Sequence, residues 1–372
     1  MKLHLPARLR SALLACMALV APIACTVASG AFVGLGAVAA LATSVASAAE
    51  IQVPSGSTVD YASGNTYILS GGTLNVASGA VSSAIKVNDA ESTVNVASGA
   101  KLSPLYVTLG DGVESYKLAG AGTYDLGTAT SMYGASVNGT GWTGVTSITK
   151  ATSVGNFNFN TYGNAQSEVK VSGVAGWLAF GVAFNPTVWL EDAADGSAAL
   201  FIPDGSSNRT YTFNGMKGAG TFHRGKTDNK AFAGQMTYAF QGDVSEWTGK
   251  YVNDYGETIL SFNGAATELN MGEIVNNSGY ALSVNFNGAS ASVVNTKIHT
   301  TAGGALNLNV NNAGGVTFNN EVSASAFTAN GSTTVAATGS LTVSGATELN
   351  STLRVEGAAS LLDEGCRHVP SW

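Results

Sequence analysis

A seven-residue phrase occurs three times early in the chain and constrains its fold more than any other feature. The copies are Thr58-Val-Asp-Tyr-Ala-Ser-Gly64, Thr73-Leu-Asn-Val-Ala-Ser-Gly79 and Thr93-Val-Asn-Val-Ala-Ser-Gly99. In each copy the second and fourth residues are apolar and the first and third are polar, which is the alternation of a strand with one buried face. The final Ala-Ser-Gly predicts a turn, because Gly adopts the positive φ of a tight corner and Ser bonds the local backbone.

The copies begin at positions 58, 73 and 93, and this spacing is typical of the coils of a β-solenoid. One such coil cannot bury its apolar side alone, so it must stack on the next. Crossovers between parallel strands are nearly always right-handed. The sequence therefore predicts an all-β fold, a right-handed parallel β-helix or β-solenoid preceded by an N-terminal export signal. We expect Val59, Leu74 and Val94 to line one interior column.

The composition agrees with stacked strands and argues against a disordered chain. Charged residues make up only 11% of the 372 residues, while 45% are hydrophobic and Gly contributes 46. A disordered chain is rich in charge and poor in β-branched residues, which is the opposite profile. Outward positions of the strands are then expected to carry Thr, Ser and Asn.

The charge and the cysteines exclude two further classes. The formal net charge is −7, and the densest basic cluster is only Arg224, Lys226 and Lys230, so we expect no nucleic-acid partner, because such binding needs a basic stripe. Cys16 and Cys25 lie in the N-terminal apolar segment and leave Cys366 alone near the end. The sequence therefore predicts no disulfide framework, and stacking must hold the coils together.

Residues 1–49 are typical of an export signal. Lys2, Arg8 and Arg10 precede an apolar body, and Ala46-Ser47-Ala48 resembles a cleavage site. The apolar body is longer than in an ordinary signal, so an uncleaved apolar anchor and a lipidated Cys are alternatives.

Repeated sequence motifs divide the rest of the chain into segments. Gly120-Ala-Gly-Thr-Tyr124 recurs as Gly218-Ala-Gly-Thr-Phe222, and Trp142-Thr-Gly144 recurs as Trp247-Thr-Gly249, which predicts a duplicated unit of about 100 residues. Between them, the apolar stretch 174–190 predicts a hydrophobic seam inside the solenoid. The predicted segments are β-solenoid coils at 50–116, a duplicated β-rich unit at 117–255, further coils at 256–362 and an unstructured tail at 363–372.

The last group of coils carries its own repeats. Phe262-Asn-Gly264 recurs as Phe286-Asn-Gly288, and Ala266-Thr-Glu-Leu-Asn270 recurs as Ala346-Thr-Glu-Leu-Asn350. We interpret the second displacement as four coils of about 20 residues each. Asparagines stack through their amides when equal positions lie above one another. Such ladders are therefore expected at Asn307, Asn309, Asn311 and Asn312.

The long signal, the Thr-Leu-Asn-Val-Ala-Ser-Gly coils and Phe240-Gln-Gly-Asp-Val-Ser-Glu-Trp-Thr-Gly249 together resemble bacterial autotransporter-type passengers with autotransporter-associated β-strand repeats. The resemblance covers most of residues 50–362. It implies export to the cell surface or outer membrane, or secretion, and a surface role; such passengers include adhesins, proteases and lipases. We expect no counterpart of the family's C-terminal translocator barrel in these residues, since positions 364, 366, 368 and 370 form no apolar face. The chain then stays periplasmic if no separate translocator exports it.

Apart from the repeats, the sequence shows no motif typical of a catalytic or metal-binding site. His223 and His299 lie far apart in the sequence and are interpreted as solvent-facing strand residues rather than parts of a zinc site or a triad. The acidic group Glu191, Asp192, Asp195 and Asp204 lacks the spacing of a calcium loop. We therefore predict no catalytic, cofactor-binding or metal residues and no cofactor.

The predicted function is that of an exported, non-enzymatic surface solenoid with an adhesive or structural role. Host glycans or surface proteins are the expected partners. Two alternatives stay open: a carbohydrate-active β-helix of the polysaccharide lyase or hydrolase type, and a truncated autotransporter fragment without activity. An enzyme of the first kind needs two carboxylates from neighbouring coils, for which Asp243 and Glu246, or Glu257 and Glu268, are available.

Overall fold

The computed structural model describes residues 49–62, 64–127, 136–148, 158–161, 167–172, 176–178, 186–191, 198–201, 208–224, 234–264 and 267–361. These residues form strands and turns and no helix. The predicted export signal and the predicted tail from 363 lie outside them. The predicted boundaries at 116 and 255 stay predictions.

The strands up to residue 172 are β1 (Glu50–Pro54), β2 (Thr58–Asp60), β3 (Thr66–Ser70), β4 (Thr73–Val76), β5 (Ala80–Val87), β6 (Thr93–Val96), β7 (Lys101–Leu109), β8 (Ser115–Gly120), β9 (Thr123–Gly127), β10 (Ser136–Trp142), β11 (Val145–Ile148), β12 (Asn158–Thr161) and β13 (Glu168–Ser172).

The following strands are β14 (Gly176–Leu178), β15 (Thr187–Glu191), β16 (Ala198–Phe201), β17 (Arg209–Phe213), β18 (Gly215–Lys217), β19 (Thr221–Arg224), β20 (Met236–Phe240), β21 (Lys250–Asn253), β22 (Thr258–Phe262), β23 (Thr267–Leu269), β24 (Glu273–Asn276), β25 (Leu282–Phe286), β26 (Ser292–Val294), β27 (Lys297–Thr300), β28 (Leu306–Val310), β29 (Val316–Phe318), β30 (Glu321–Ala324), β31 (Ala326–Ala329), β32 (Thr333–Val335), β33 (Ser340–Val343), β34 (Thr347–Leu349), β35 (Leu353–Val355) and β36 (Ala358–Leu361).

These strands pair in parallel and form five sheets that run along the stack of coils. Sheet A has the order β1-β3-β5-β7-β9-β11-β13-β15-β18, and sheet B has the order β12-β10-β8-β6-β4-β2. Sheet C is β14-β16-β19-β21-β24-β27-β30-β33-β36, sheet D is β17-β20-β22-β25-β28-β31-β34, and sheet E is β23-β26-β29-β32-β35. Early coils thus contribute one strand to each of two sheets, and late coils contribute to three. The chain is a parallel β-solenoid, as the sequence predicts.

The predicted interior column is confirmed. Val59 pairs with Leu74, and Leu74 pairs with Val94 on the next coil. Leu74 and Val94 are fully buried, and the partly buried Val59 packs against the same core. The three Ala-Ser-Gly turns also have the predicted geometry, with φ of 81°, 74° and 78° at Gly64, Gly79 and Gly99.

A column of stacked phenylalanines fills the interior of the later coils. The ring centroids of Phe213 and Phe240 are 5.4 Å apart, those of Phe240 and Phe262 are 5.3 Å apart, and those of Phe262 and Phe286 are 5.6 Å apart. The column arises because Phe240, Phe262 and Phe286 hold equal positions at the ends of β20, β22 and β25. Offset stacking of this kind adds to the hydrophobic gain from burying each ring.

The repeated Gly-Ala-Gly-Thr and Trp-Thr-Gly letters form a corner spanning two coils. The amide of Gly122 donates to the carbonyl of Val96 at 3.0 Å, and Gly220 donates equivalently to Leu190 at 3.0 Å. The next coil then lies on the Gly-Ala-Gly turn, since the amide of Thr143 donates to the carbonyl of Gly120 at 2.9 Å. In the second copy the amide of Thr248 donates to the carbonyl of Gly218, also at 2.9 Å. Both tryptophans, at 142 and 247, are fully buried beneath these corners.

The interpretation of the Ala-Thr-Glu-Leu-Asn displacement as four equal coils is wrong. Thr267–Leu269 lies in sheet E, whereas Thr347–Leu349 lies in sheet D. The two copies therefore lie on different sides of the solenoid. The physical reason is that coil length varies: Leu260 pairs with Val284, whereas Phe327 pairs with Thr347 across a shorter length of chain.

The described part of the apolar stretch 174–190 only partly follows the prediction of an interior seam. Val188 and Leu190 are buried, as expected. Trp189 instead lies on the outer side, with the ammonium groups of Lys170 and Lys217 4.0 Å and 4.9 Å from its ring centroid. Alternation along β15 explains this position, because adjacent residues of a strand point to opposite faces.

Candidate functional surface

The most regular polar feature outside the core is a row of five asparagine amides, here called the outer amide ladder. Its members directly follow the strands of sheet D and comprise Asn263, Asn287, Asn311, Asn330 and Asn350. The amide nitrogens of the last four members each donate to the amide oxygen of the preceding member, at 3.0, 2.9, 2.7 and 2.8 Å in order. The last four side chains are exposed. The row exists because an Asn falls one residue after five successive strands of one sheet.

Two shorter ladders repeat this arrangement. Asn295 donates to Asn270 and Asn319 donates to Asn295, each at 2.8 Å, directly after strands of sheet E. Asn75 donates to Asp60, and Asn95 donates to Asn75, on the outer side of sheet B. The Asn or Asp at the third position of the seven-residue phrase is therefore a ladder residue.

Stacking is confirmed at two of the four predicted asparagines. Asn309 donates to Asn285 at 2.7 Å, and Asn311 donates to Asn287. The others bond serine hydroxyls instead. Asn307 reaches Ser283 at 3.5 Å, and the buried Asn312 donates to Ser292 at 2.8 Å. The preceding coil decides the partner, because the four asparagines lie along one coil and cannot stack on one another.

A row of alternating charges runs along sheet C. Lys250 pairs with Glu273 at 2.8 Å, and two coils on Lys297 pairs with Glu321 at 3.0 Å. His299 Nε2 lies 3.0 Å from Glu273 Oε2. The hydrogen bond from Lys250, and then that from His299, hold the pKa of the Glu273 carboxyl below its usual value.

A second histidine lies next to a carboxylate at the corner between sheets C and D. His223 Nδ1 is 2.7 Å from Asp254 Oδ2. Burial opposes ionisation of Asp254, but the hydrogen bond and charge of His223, together with Asn277, outweigh it and lower the pKa of Asp254. The rings of Tyr255 and Tyr280 pack against each other at a tilted angle of 58°, with hydroxyls 3.2 Å apart. Tyr280 is 46% exposed.

Both histidines lie on the outer side of sheet C, opposite the buried Phe222 and Ile298, but neither is fully exposed. Each is partly buried, and each contacts a carboxylate on a neighbouring coil. The sequence could have indicated the pairs, since His223 and Asp254 are 31 residues apart and Glu273 and His299 are 26 apart. The signal was missed because it requires the register between coils, which varies.

We expect stability to fall in acid through Asp254 and Glu273. Both carboxyls have lowered pKa values, so their contribution is complete above the unfolded-state pKa of about 4 and is lost as pH falls through their folded-state values. The measurement is the midpoint temperature at pH 6, 4 and 3 for the wild type and for Asp254→Asn with Glu273→Gln. The double variant should lose less on acidification, while the exposed control Asp111→Asn should follow the wild type. Parallel curves for wild type and double variant would contradict this origin.

Three of the four carboxylates considered for glycan cleavage each have a separate hydrogen-bond partner. Asp243 Oδ1 accepts the amide of Ser245 at 2.8 Å, Glu257 accepts from Gln235 at 2.6 Å, and Glu268 accepts from Asn295 at 3.2 Å.

The acidic and basic clusters singled out in the sequence are only partly described. Glu191 pairs with Lys170 at 2.8 Å, and this contact lowers its pKa. Asp192, Asp195 and Asp204 lie outside the described residues. Of the basic cluster, Arg224 is fully buried, while Lys226 and Lys230 lie outside the described part of the chain. Among the residues described, no group of three or more His, Cys, Asp or Glu side chains is placed to hold a metal ion.

A search of the described residues for a helix able to cross a membrane finds none. Comparison with protein-family models gives no match, and comparisons with curated proteins and with solved structures give none either.

Proposed function

We propose that this chain is an exported bacterial surface solenoid of the autotransporter-passenger type, with a non-enzymatic adhesive or structural role. The observation that carries the proposal is the outer amide ladder, whose members follow five successive strands of sheet D. A solenoid offers an extended lateral surface, and repeated groups on that surface suit an extended partner.

The chemistry of the ladder suggests how such a partner is held. An Asn amide has two donors and two acceptor sites, and the ladder uses one of each for the interior members. Asn311 and Asn330 thus keep one N–H and one lone pair toward solvent, whereas Asn287 and Asn350 each donate a second hydrogen bond, to Ser261 and Glu348. Successive members lie at the strand spacing of about 4.8 Å. A glycan or an extended protein strand presents alternating donors and acceptors along its length. The ladder carries no charge, so binding is expected to depend weakly on salt.

The adhesive role is tested with the full chain on immobilised glycans and matrix proteins. Replacing two exposed ladder members, Asn287→Leu with Asn311→Leu, should weaken binding about thirtyfold, because each lost hydrogen-bonding site contributes about 1 kcal/mol. The matched control is Asn295→Leu, which breaks the shorter ladder of sheet E. A chain that binds nothing on these panels, or a control as weak as the double variant, would overturn the adhesive role.

Export is tested separately, because it depends on residues 1–49. We expect the chain to be digested when protease is added to intact bacteria. Replacing the small residues of the predicted cleavage site, Ala46→Asp with Ala48→Asp, should retain the longer precursor. Protection from protease in intact cells, with no cleavage in the wild type, would contradict a surface location.

A carbohydrate-active β-helix is the second candidate. It is favoured by the two histidine–carboxylate pairs on the outer side of sheet C. It predicts that the full chain releases reducing ends or unsaturated sugars from polysaccharides. Glu273→Gln should then abolish turnover without preventing binding, whereas the adhesive role predicts no turnover in either protein.

A further inference from the structure

Arg224 holds an unusual position inside the solenoid. It ends β19, is fully buried, and pairs in register with Asn253, which pairs in turn with Asn276 on the next coil. These three residues form a polar row on the inner side of sheet C. Arg224 is the only member of the row that carries a charge.

The guanidinium lies directly inside the corner formed by residues 254–257. The Arg224 carbonyl accepts the amides of Asp254 and Tyr255 at 2.8 and 3.1 Å, so the corner rests on this residue. A Cβ added at Gly256 would lie 2.6 Å from Arg224 Nη2. The guanidinium therefore packs tightly against the backbone of this corner, which excludes a bulky ligand.

Within the described residues, the guanidinium has no hydrogen-bond acceptor. All three of its nitrogens are buried without a partner. The adjacent amide of Asn253 is already engaged, since it donates to Asn276 at 3.0 Å and accepts from Thr258 at 3.0 Å. None of the ion pairs of the described chain includes Arg224.

Two buried phenols, Tyr238 and Tyr251, lie near the Arg224 guanidinium, while the nearby carboxylate of Asp254 is hydrogen-bonded to His223. Burial raises the pKa of the Tyr238 phenol, and burial also raises the pKa of Tyr251 well above its ordinary value. Both phenols are therefore neutral at any physiological pH. The Tyr238 hydroxyl is itself buried without a partner among the described residues. Guanidinium and phenol together present several N–H and O–H groups and one positive charge.

A buried cation of this kind needs a counter-charge. Arg keeps its proton in proteins, so it cannot neutralise itself as a buried Lys can. An uncompensated buried charge is strongly destabilising. We propose that the interior beneath the 254–257 corner binds one small monovalent inorganic anion of the halide class, held by the Arg224 guanidinium and the Tyr238 hydroxyl. The inference is independent of the adhesive role.

The first test measures thermal unfolding of the full chain in sodium chloride, sodium bromide and sodium gluconate at equal ionic strength. A ligand that binds only the folded state raises the folded-to-unfolded ratio about tenfold for each tenfold rise in concentration above its Kd. We expect this rise with chloride and bromide and not with the bulky gluconate. Equal stability in all three salts would overturn the proposal.

Variants assign the effect to this site. Arg224→Met removes the charge and should abolish the halide dependence, while Arg354→Met at an exposed arginine should leave it unchanged. Tyr238→Phe removes one donor without emptying the core, and should raise the halide concentration needed for half the effect. This second variant keeps the test valid where Arg224→Met fails to fold. Halide dependence that is equal in wild type and Tyr238→Phe would contradict the site.

A structural measurement distinguishes a bound ion from a carboxylate of the chain itself. Bromide in crystals of the full chain should give anomalous density beside the guanidinium of Arg224. Asp228 follows Arg224 closely in the sequence and is the natural alternative. A large loss of stability in Asp228→Asn, with no bromide density, would show an internal ion pair and overturn the proposal.

Discussion

Replacing Phe240 with alanine is expected to cost about 3–5 kcal/mol in free energy of unfolding. The ring is fully buried and stacks on Phe213 and Phe262, and it also meets Trp247 at a centroid distance of 6.1 Å. Truncation removes these contacts and leaves a cavity between three coils that cannot collapse, because the strand spacing fixes their separation. The measurement is chemical denaturation together with hydrogen exchange across β20 and β22.

Two further variants show that the loss comes from the column. Phe240→Leu keeps most of the volume and should cost much less than the alanine variant. Tyr106→Ala removes an aromatic ring that is 44% exposed, and should change stability by no more than about 0.5 kcal/mol. A loss in Phe240→Ala as small as that of Tyr106→Ala would mean that the phenylalanine column contributes little. Because each coil contacts mainly its neighbours, hydrogen-exchange protection should fall nearest residue 240 and recover toward β1.

The strand periods and the turns could be predicted from the sequence because they are local properties. The alternation in Thr73-Leu-Asn-Val depends on four adjacent residues, and it matches β4, where Leu74 and Val76 are buried. The turn at Gly79 depends on one glycine with φ of 74°. Neither requires knowledge of which coil lies above. The stacking of identical phrases then follows from equal positions in successive coils.

The contacts between coils could not be predicted with the same success, because coil length is not constant. Along sheet D, the step from Leu260 to its partner Val284 is longer than the step from Phe327 to its partner Thr347. A fixed coil length therefore assigns Thr347 to the wrong sheet. It also fails to bring His223 to Asp254, across 31 residues. Which polar residues of neighbouring coils pair on the outer surface depends on the lengths of the longer loops. The repeated sequence motifs do not indicate these lengths.

The buried arginine illustrates a different limit. In sequence, Arg224 belongs with Lys226 and Lys230, and charge alone suggests a basic surface turn. Strand alternation decides otherwise: Phe222 is buried, His223 faces outward, and Arg224 points inward again. The period of two, applied through the end of β19, predicts an inward cation at this position.

Gly218→Ala is expected to destabilise the solenoid by about 3 kcal/mol or more, the other large effect of a single substitution. Two terms add at this position. The residue has φ of 94°, which strains any residue with a side chain by about 1–3 kcal/mol. A Cβ would also lie 2.0 Å from the carbonyl oxygen of Leu190, and this backbone atom cannot rotate away. Because Gly120 holds the same corner place, with φ of 99° and a Cβ 2.1 Å from the Val96 oxygen, Gly120→Ala should cost a similar amount.

Two control glycines separate the steric term from the backbone term. Gly79 has φ of 74° but open space around its Cβ position, so Gly79→Ala should show the backbone strain alone. Gly279 has open space and no left-handed φ, and Gly279→Ala should be neutral or slightly stabilising, since alanine restricts the unfolded chain. The expected order of midpoint temperatures is Gly279→Ala highest, then Gly79→Ala, then the two corner variants. If Gly218→Ala were as stable as Gly79→Ala, the close contact between neighbouring coils at this corner would not limit the stack.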